Sequence, residues 1–119
     1  MINRKFKIPI YYGDLVIYQV ENSTDVIPKD YLLEDGEGYS AYCKFKLVNG
    51  YNKCIIIFKE VSHEIIAHEA LHITNGILLH AGVSADFNND EPQTYLLSWV
   101  VKQIYNTIKL NEKESNYTK

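Results

Sequence analysis

Five consecutive residues near the middle of the chain, His68-Glu69-Ala70-Leu71-His72, carry side chains suited to metal chemistry. On an α-helix, residues four positions apart lie on one face, so both imidazoles can reach a single metal ion. Glu69 lies beside them and can accept a proton from a water molecule bound to that ion. The spacing therefore predicts a zinc site with His68 and His72 as ligands and Glu69 as the general base.

The hydrophobic pattern predicts the elements that must position this motif. Alternating apolar residues predict strands over residues 6–10, 15–20, 39–48 and 53–58, and a period near 3.6 predicts helices over 63–81 and 90–110. Strands followed by helices argue for an α+β fold, a small antiparallel sheet packed against the motif helix and a second helix. We expect one domain over residues 1–110 and a flexible tail over 111–119.

Residue types at the segment ends support these boundaries. Ser62 is an expected N-cap of the motif helix and Gly82 its C′ residue. Pro92 suits the first turn of the second helix, with Asn89 or Asp90 as its cap. The polar connection over 21–38 is expected to hold a short helical turn near residues 29–33.

The two cysteines flank a strong hairpin signal, Asn49-Gly50. With Val48 facing Tyr51, Cys43 and Cys54 share a face of the sheet but lie diagonally, about 7–8 Å apart. This distance is too long for a disulfide. The sequence therefore predicts buried free thiols.

A catalytic zinc site needs a third protein ligand. The side chains able to supply it are those of Glu91, Asp90, Asp86, His80 and His63. With His68 at zero, His63 lies at about 220° on the opposite helix face, and His80 lies roughly 12 Å further along the axis than His72. The loop over 83–89 can return the chain toward the motif, so the three acidic residues stay candidates.

The runs over residues 66–72 and 90–97 resemble the gluzincin clan of zinc peptidases and small zincin-like proteins of bacteriophages and Bacteroides-type bacteria. The resemblance covers roughly residues 39–108. It implies Zn²⁺ as cofactor, His68, His72 and Glu91 as its ligands, and Glu69 as the general base.

The chain departs from the gluzincin pattern at Tyr95, where that clan typically has an aspartate four residues after the ligand glutamate. Tyr95 is expected to pack in the core. Alternatively, its hydroxyl accepts a hydrogen bond from a histidine N–H or points at the substrate carbonyl.

The extended metzincin pattern is excluded, because that pattern requires glycine and histidine where this chain has Asn75 and Leu78. His63 begins an incomplete second copy of the motif and is expected on the surface, while His80 is expected to complement the helix dipole.

Composition and net charge limit the classes of partner that we expect the protein to bind. The net charge of −3, with both signs interspersed, gives no argument for nucleic acid or an anionic membrane, and no apolar run is long enough to span a bilayer. Ten tyrosines without a basic groove do not predict base stacking. The N-terminus does not read as a signal peptide, so we expect a cytoplasmic protein, or one in a virion or host cytoplasm if a phage encodes it.

These observations predict a zinc-dependent metallopeptidase that acts on a peptide or protein substrate. The alternative is a zinc-binding protein of the same fold with a structural or binding role, for example in a phage particle. A third hypothesis is a toxin or anti-defence protease with a single target. The sequence does not specify the substrate or the oligomeric state.

Overall fold

The computed structural model describes residues 1–22, 25, 29 and 39–110. Residues 30–33 of the expected helical turn and the tail over 111–119 lie outside this part of the chain. The described elements are four strands and two helices, in the order β1 (Ile2–Lys7), β2 (Gly13–Gln19), β3 (Ala41–Val48), β4 (Tyr51–Phe58), α1 (His63–His80) and α2 (Glu91–Thr107). The predicted α+β class is confirmed.

The four strands form one sheet in the order β1-β2-β4-β3. β1 pairs with β2 and β3 pairs with β4, both antiparallel, but β2 and β4 pair in parallel. The expected antiparallel sheet is therefore wrong at its centre. Alternating hydrophobicity indicates which face of a strand is buried but not which way its neighbour runs, so this pattern could not predict the parallel pair.

The β3–β4 hairpin has the predicted register, with Val48 opposite Tyr51. Asn49 and Gly50 both adopt positive φ, as a two-residue hairpin turn requires. Both cysteines are free, Cys54 fully buried and Cys43 partly so. The predicted free thiols are confirmed.

The first strand was predicted too late in the chain. β1 begins at Ile2 and ends at Lys7, so the segment with Pro9 follows the strand. β1 is an edge strand with a largely exposed surface, and most of its residues are polar. It therefore lacks the run of apolar residues on which the strand prediction depended. Ile10 ends any extension, because its φ of 67° belongs to the left-handed region.

The helix boundaries follow the expected capping residues. The Ser62 hydroxyl accepts from the Ile65 amide at 3.1 Å. Gly82 has a φ of 74°, and the amide of Val83 donates back to the carbonyl of Leu78, closing the C-terminus. Asp90 occupies the N-cap position of α2 without a side-chain capping bond, and α2 ends at Thr107, earlier than the predicted residue 110.

Both helices pack on the same face of the sheet, where they enclose the main core. The core residues with no exposed surface include Leu15, Ile17, Ile56, Phe58, Ile73, Ile77, Val100 and Ile104. The helices run antiparallel, since His63 stacks on Tyr105 at one end and Gln93 donates to Asn75 at the other. Neither helix of the described chain has the length and apolarity needed to cross a membrane. The cytoplasmic location stays a prediction.

Candidate metal centre

The two histidines of the motif converge on the exposed side of α1. Their Nε2 atoms lie 3.2 Å apart, within hydrogen-bond distance, and their ring centroids are 4.7 Å apart. The helix produces this convergence because residues four apart lie on one face, one turn apart. The structure therefore brings together the two side chains that the spacing paired.

The separation of these two nitrogens fits a shared zinc ion. Zinc binds imidazole nitrogen at about 2.0–2.1 Å with tetrahedral angles, so two such ligands are about 3.3–3.4 Å apart. The observed 3.2 Å between His68 Nε2 and His72 Nε2 is close to this value. Both rings are exposed, so an ion from solvent has direct access to them.

Glu69 faces the sheet and is only 6 % exposed. Its carboxyl group lies close enough to the Cys43 thiol of β3 to influence the pKa of that thiol. Burial, with a smaller contribution from the Glu69 carboxylate, raises the pKa of Cys43 to about 12. At neutral pH the Cys43 thiol is therefore protonated, and it lies beside Glu69, where it can serve as a hydrogen-bond donor.

A cleft of about 320 Å³ opens beside Glu69, between the start of β3 and the N-terminal half of α1. Ser40 and Ala41 form one wall, and Ile65, His68 and Glu69 contribute to the other. β3 is the last strand of the sheet as described, so one of its edges faces away from β4. The cleft is thus lined by the carboxyl group of Glu69, by the imidazole of His68 and by the start of an edge strand.

The expected third ligand, Glu91, lies elsewhere. It opens α2 and lines a groove with Pro9, Ile10 and Tyr95 near the turn between β1 and β2. Among the described residues, no group of three or more His, Cys, Asp or Glu side chains is placed to hold a metal ion. The structure therefore does not bring Glu91 to His68 and His72.

The two acidic alternatives line a cleft next to the groove that contains Glu91, and Asn89 and Pro92 line both. Asp86 and Asp90 line a cleft of about 670 Å³ with Leu71 and Asn75 of α1. Leu71 directly precedes His72 in sequence. Neither His68 nor His72 lines this cleft, so the structure does not bring either acid to the two histidines.

The expected core position of Tyr95 is wrong, because its side chain is 75 % exposed. Tyr95 lines the groove that contains Glu91 and not the cleft beside His68. Trp99, one turn further along α2, is half-buried and packs edge-on against Phe6. The helix turns Tyr95 away from the core that Leu96 and Val100 enter.

The two histidines outside the motif have structural contacts. His63, expected on the surface, is partly buried, and its Nδ1 forms a short hydrogen bond with the Tyr105 hydroxyl. His80 contacts Asn52 Oδ1 through Nδ1 at 3.0 Å, and its ring packs against Phe45. Neither His63 nor His80 therefore lies with the His68 and His72 pair, as their positions around and along the helix predicted.

Sequence reasoning missed the contact between Cys43 and Glu69. The predicted hairpin register already placed Cys43 on the inner face of β3, and Glu69 lies on the flank of α1 toward that strand. To predict that the two side chains lie close together, the packing of α1 on β3 must be known, and no local sequence pattern encodes that packing.

Comparison of the chain with models of protein families, with curated proteins and with solved structures gave no match. The geometry of the site is therefore the basis for its interpretation.

The two thiols are expected to resist alkylation in the native protein. Burial raises the pKa of both to about 12, so at pH 8 roughly one thiol in ten thousand is the reactive thiolate. Iodoacetamide followed by mass spectrometry should label neither cysteine in buffer and both in denaturant. Rapid labelling of either native thiol at pH 8 would contradict the buried, protonated state, and labelling should increase only as the pH approaches 12.

Proposed function

We propose that the chain is a zinc-dependent metallopeptidase of compact gluzincin-like type. The observation that carries this proposal is the convergence of His68 and His72, with Nε2 atoms 3.2 Å apart, beside a buried Glu69. Two imidazoles at zinc spacing with an adjacent carboxylate supply two of the three protein ligands and the general base that zinc-assisted hydrolysis of a peptide bond requires. Zn²⁺ is the proposed cofactor, and a peptide or protein is the proposed substrate.

Each side chain has a separate task in this proposal. His68 and His72 hold the ion, which when bound supplies Lewis acidity toward a water molecule and the scissile carbonyl. Glu69 takes the proton from the water and delivers it to the leaving amine. Cys43 is proposed to position Glu69, because its protonated thiol lies close to that carboxyl group and can donate to it.

The third ligand is proposed to be an acidic residue that precedes or opens α2. The family resemblance assigns Glu91, and Asp86 and Asp90 are the alternatives. Asp86 and Asp90 line a cleft with Leu71 and Asn75 of α1, but His72 does not line that cleft. Either assignment requires a rearrangement of the chain between α1 and α2 when the metal binds.

The edge strand β3 is proposed to hold the substrate. An extended peptide can add to a sheet edge by main-chain hydrogen bonds. Ala41, the first residue of β3, and the preceding Ser40 form one wall of the cleft that contains His68 and Glu69. A peptide bound along this edge passes the proposed general base.

Metal analysis tests the zinc centre. Wild-type protein incubated with zinc and desalted is expected to retain about one ion per chain, since two or three ligands act together on it. His68→Ala and His72→Ala should each abolish retention, whereas His80→Ala removes a histidine of the same helix outside the pair and should not. Glu91→Ala, Asp90→Ala and Asp86→Ala identify the third ligand. Folded wild-type protein that binds no zinc would refute the proposal.

A further inference from the structure

The sheet face opposite the helices carries a concentration of lysines. Leu15 and Cys54 point to the helices, so their neighbours Asp14 and Lys53 point to the other face. A groove of about 660 Å³ lies there. We call it the basic groove, and the charged residues that line it are Lys5, Asp14, Lys44, Lys46 and Lys53.

The charge of the basic groove opposes that of the molecule. Four lysines and one aspartate give it +3, in a chain whose formal net charge is −3. The remaining residues of the sequence therefore carry −6. This separation was invisible in the sequence, because the lysines come from three strands and meet only when β1, β4 and β3 join the sheet.

Two of these lysines face each other directly. Lys46 of β3 pairs with Lys53 of β4 in the sheet register. Like charges at opposed positions of an antiparallel pair destabilise the sheet. Asp14, the one carboxylate among the groove-lining residues that the structure describes, already accepts from Lys5 Nζ at 3.3 Å and from the Tyr51 hydroxyl at 3.0 Å. The fold thus maintains an unfavourable arrangement that a bound anion would relieve.

The centre of the basic groove is apolar. Val16 and Ile55 lie between the lysines, and Ile55 is buried. A ligand that fits this surface combines anionic groups at its ends with aliphatic carbon between them. Glutamate and aspartate side chains in an extended peptide have this character.

We propose that the basic groove binds an acidic segment of a partner protein. The groove spans all four strands, about 14 Å from β1 to β3, which suits a few carboxylates. A nucleic acid needs a longer basic track along its backbone, and the −6 carried by the rest of the chain repels it beyond the groove. The site is on the sheet face opposite α1, so it is independent of the proposed metal centre.

Fluorescence anisotropy with a labelled oligo-glutamate peptide of about ten residues tests the proposal. The peptide should bind wild-type protein at low salt and dissociate as salt is added. Lys46→Glu/Lys53→Glu should weaken binding at least about tenfold, and the matched double variant Lys102→Glu/Lys109→Glu, which changes two exposed α2-side lysines, should weaken it less than about threefold. Equal loss in both variants would show attraction to charge in general and overturn the proposal.

A second variant separates binding from folding. Lys46→Gln/Lys53→Gln removes the opposed charges without adding new ones, and should fold at least as well as wild type while losing affinity for the peptide. Binding unchanged by this variant would overturn the proposal. So would tighter binding of a single-stranded oligonucleotide of equal charge, which would assign the groove to nucleic acid instead.

Discussion

Glu69→Gln is expected to lower kcat/KM for peptide hydrolysis by roughly 10²- to 10⁴-fold, the contribution typical of a general base. Glutamine keeps the size of the side chain and its contact with Cys43 but cannot take a proton from water. The measurement is cleavage of a peptide library, followed by mass spectrometry, with the zinc content of each sample measured in parallel.

Zinc retention should be unchanged in Glu69→Gln, because only His68 and His72 of the motif are proposed ligands. Glu21→Gln is the matched control, since it makes the same change in an exposed residue beyond β2 that does not line the cleft beside Glu69. It should keep both zinc and activity. Full hydrolysis by Glu69→Gln would exclude Glu69 as the base, whereas a zinc-loaded wild type that cleaves nothing in the library would favour the structural alternative or a protease with a single target.

Ile77→Ala is expected to lower the free energy of unfolding by about 2–5 kcal/mol. The side chain of Ile77 has no exposed surface in the core between α1 and the sheet, so truncation leaves a cavity there. Urea unfolding followed by circular dichroism gives the change.

The matched control is Leu79→Ala, two positions further along the same helix, where the side chain is 71 % exposed. Its effect should stay within about 0.5 kcal/mol. Similar losses for the two variants would mean that α1 does not bury the face seen in the structure.

Capping and turn residues correctly predicted the features of the fold that depend on nearby residues alone. Ser62, Gly82 and the Asn49-Gly50 turn each fix backbone conformation through their own side chain or its absence, and all three have the expected role. β1 and the parallel pairing of β2 with β4 were not predicted. Edge exposure removes the apolar pattern from β1, and pairing direction depends on the path of the whole chain.

In the candidate site, too, the features set by local geometry were predicted and those set by tertiary packing were not. The pairing of His68 with His72 follows from helix geometry alone, so the sequence predicted it in full. The position of Glu91 depends on how the loop over 83–89 places the start of α2, and the structure turns that residue toward Pro9 and Ile10. Cys43 reaches Glu69 only through the docking of a helix on a strand, which no spacing in the sequence encodes.

The parallel pair at the centre of the sheet also governs how the chain folds. Each outer strand joins its neighbour through a short connection, so the two antiparallel pairs can form early from nearby residues. The contact between Gly13 and Asn52, by contrast, closes a loop of about 40 residues before any of its hydrogen bonds form. We expect this closure to limit the folding rate, with α1 docking only after the sheet is joined.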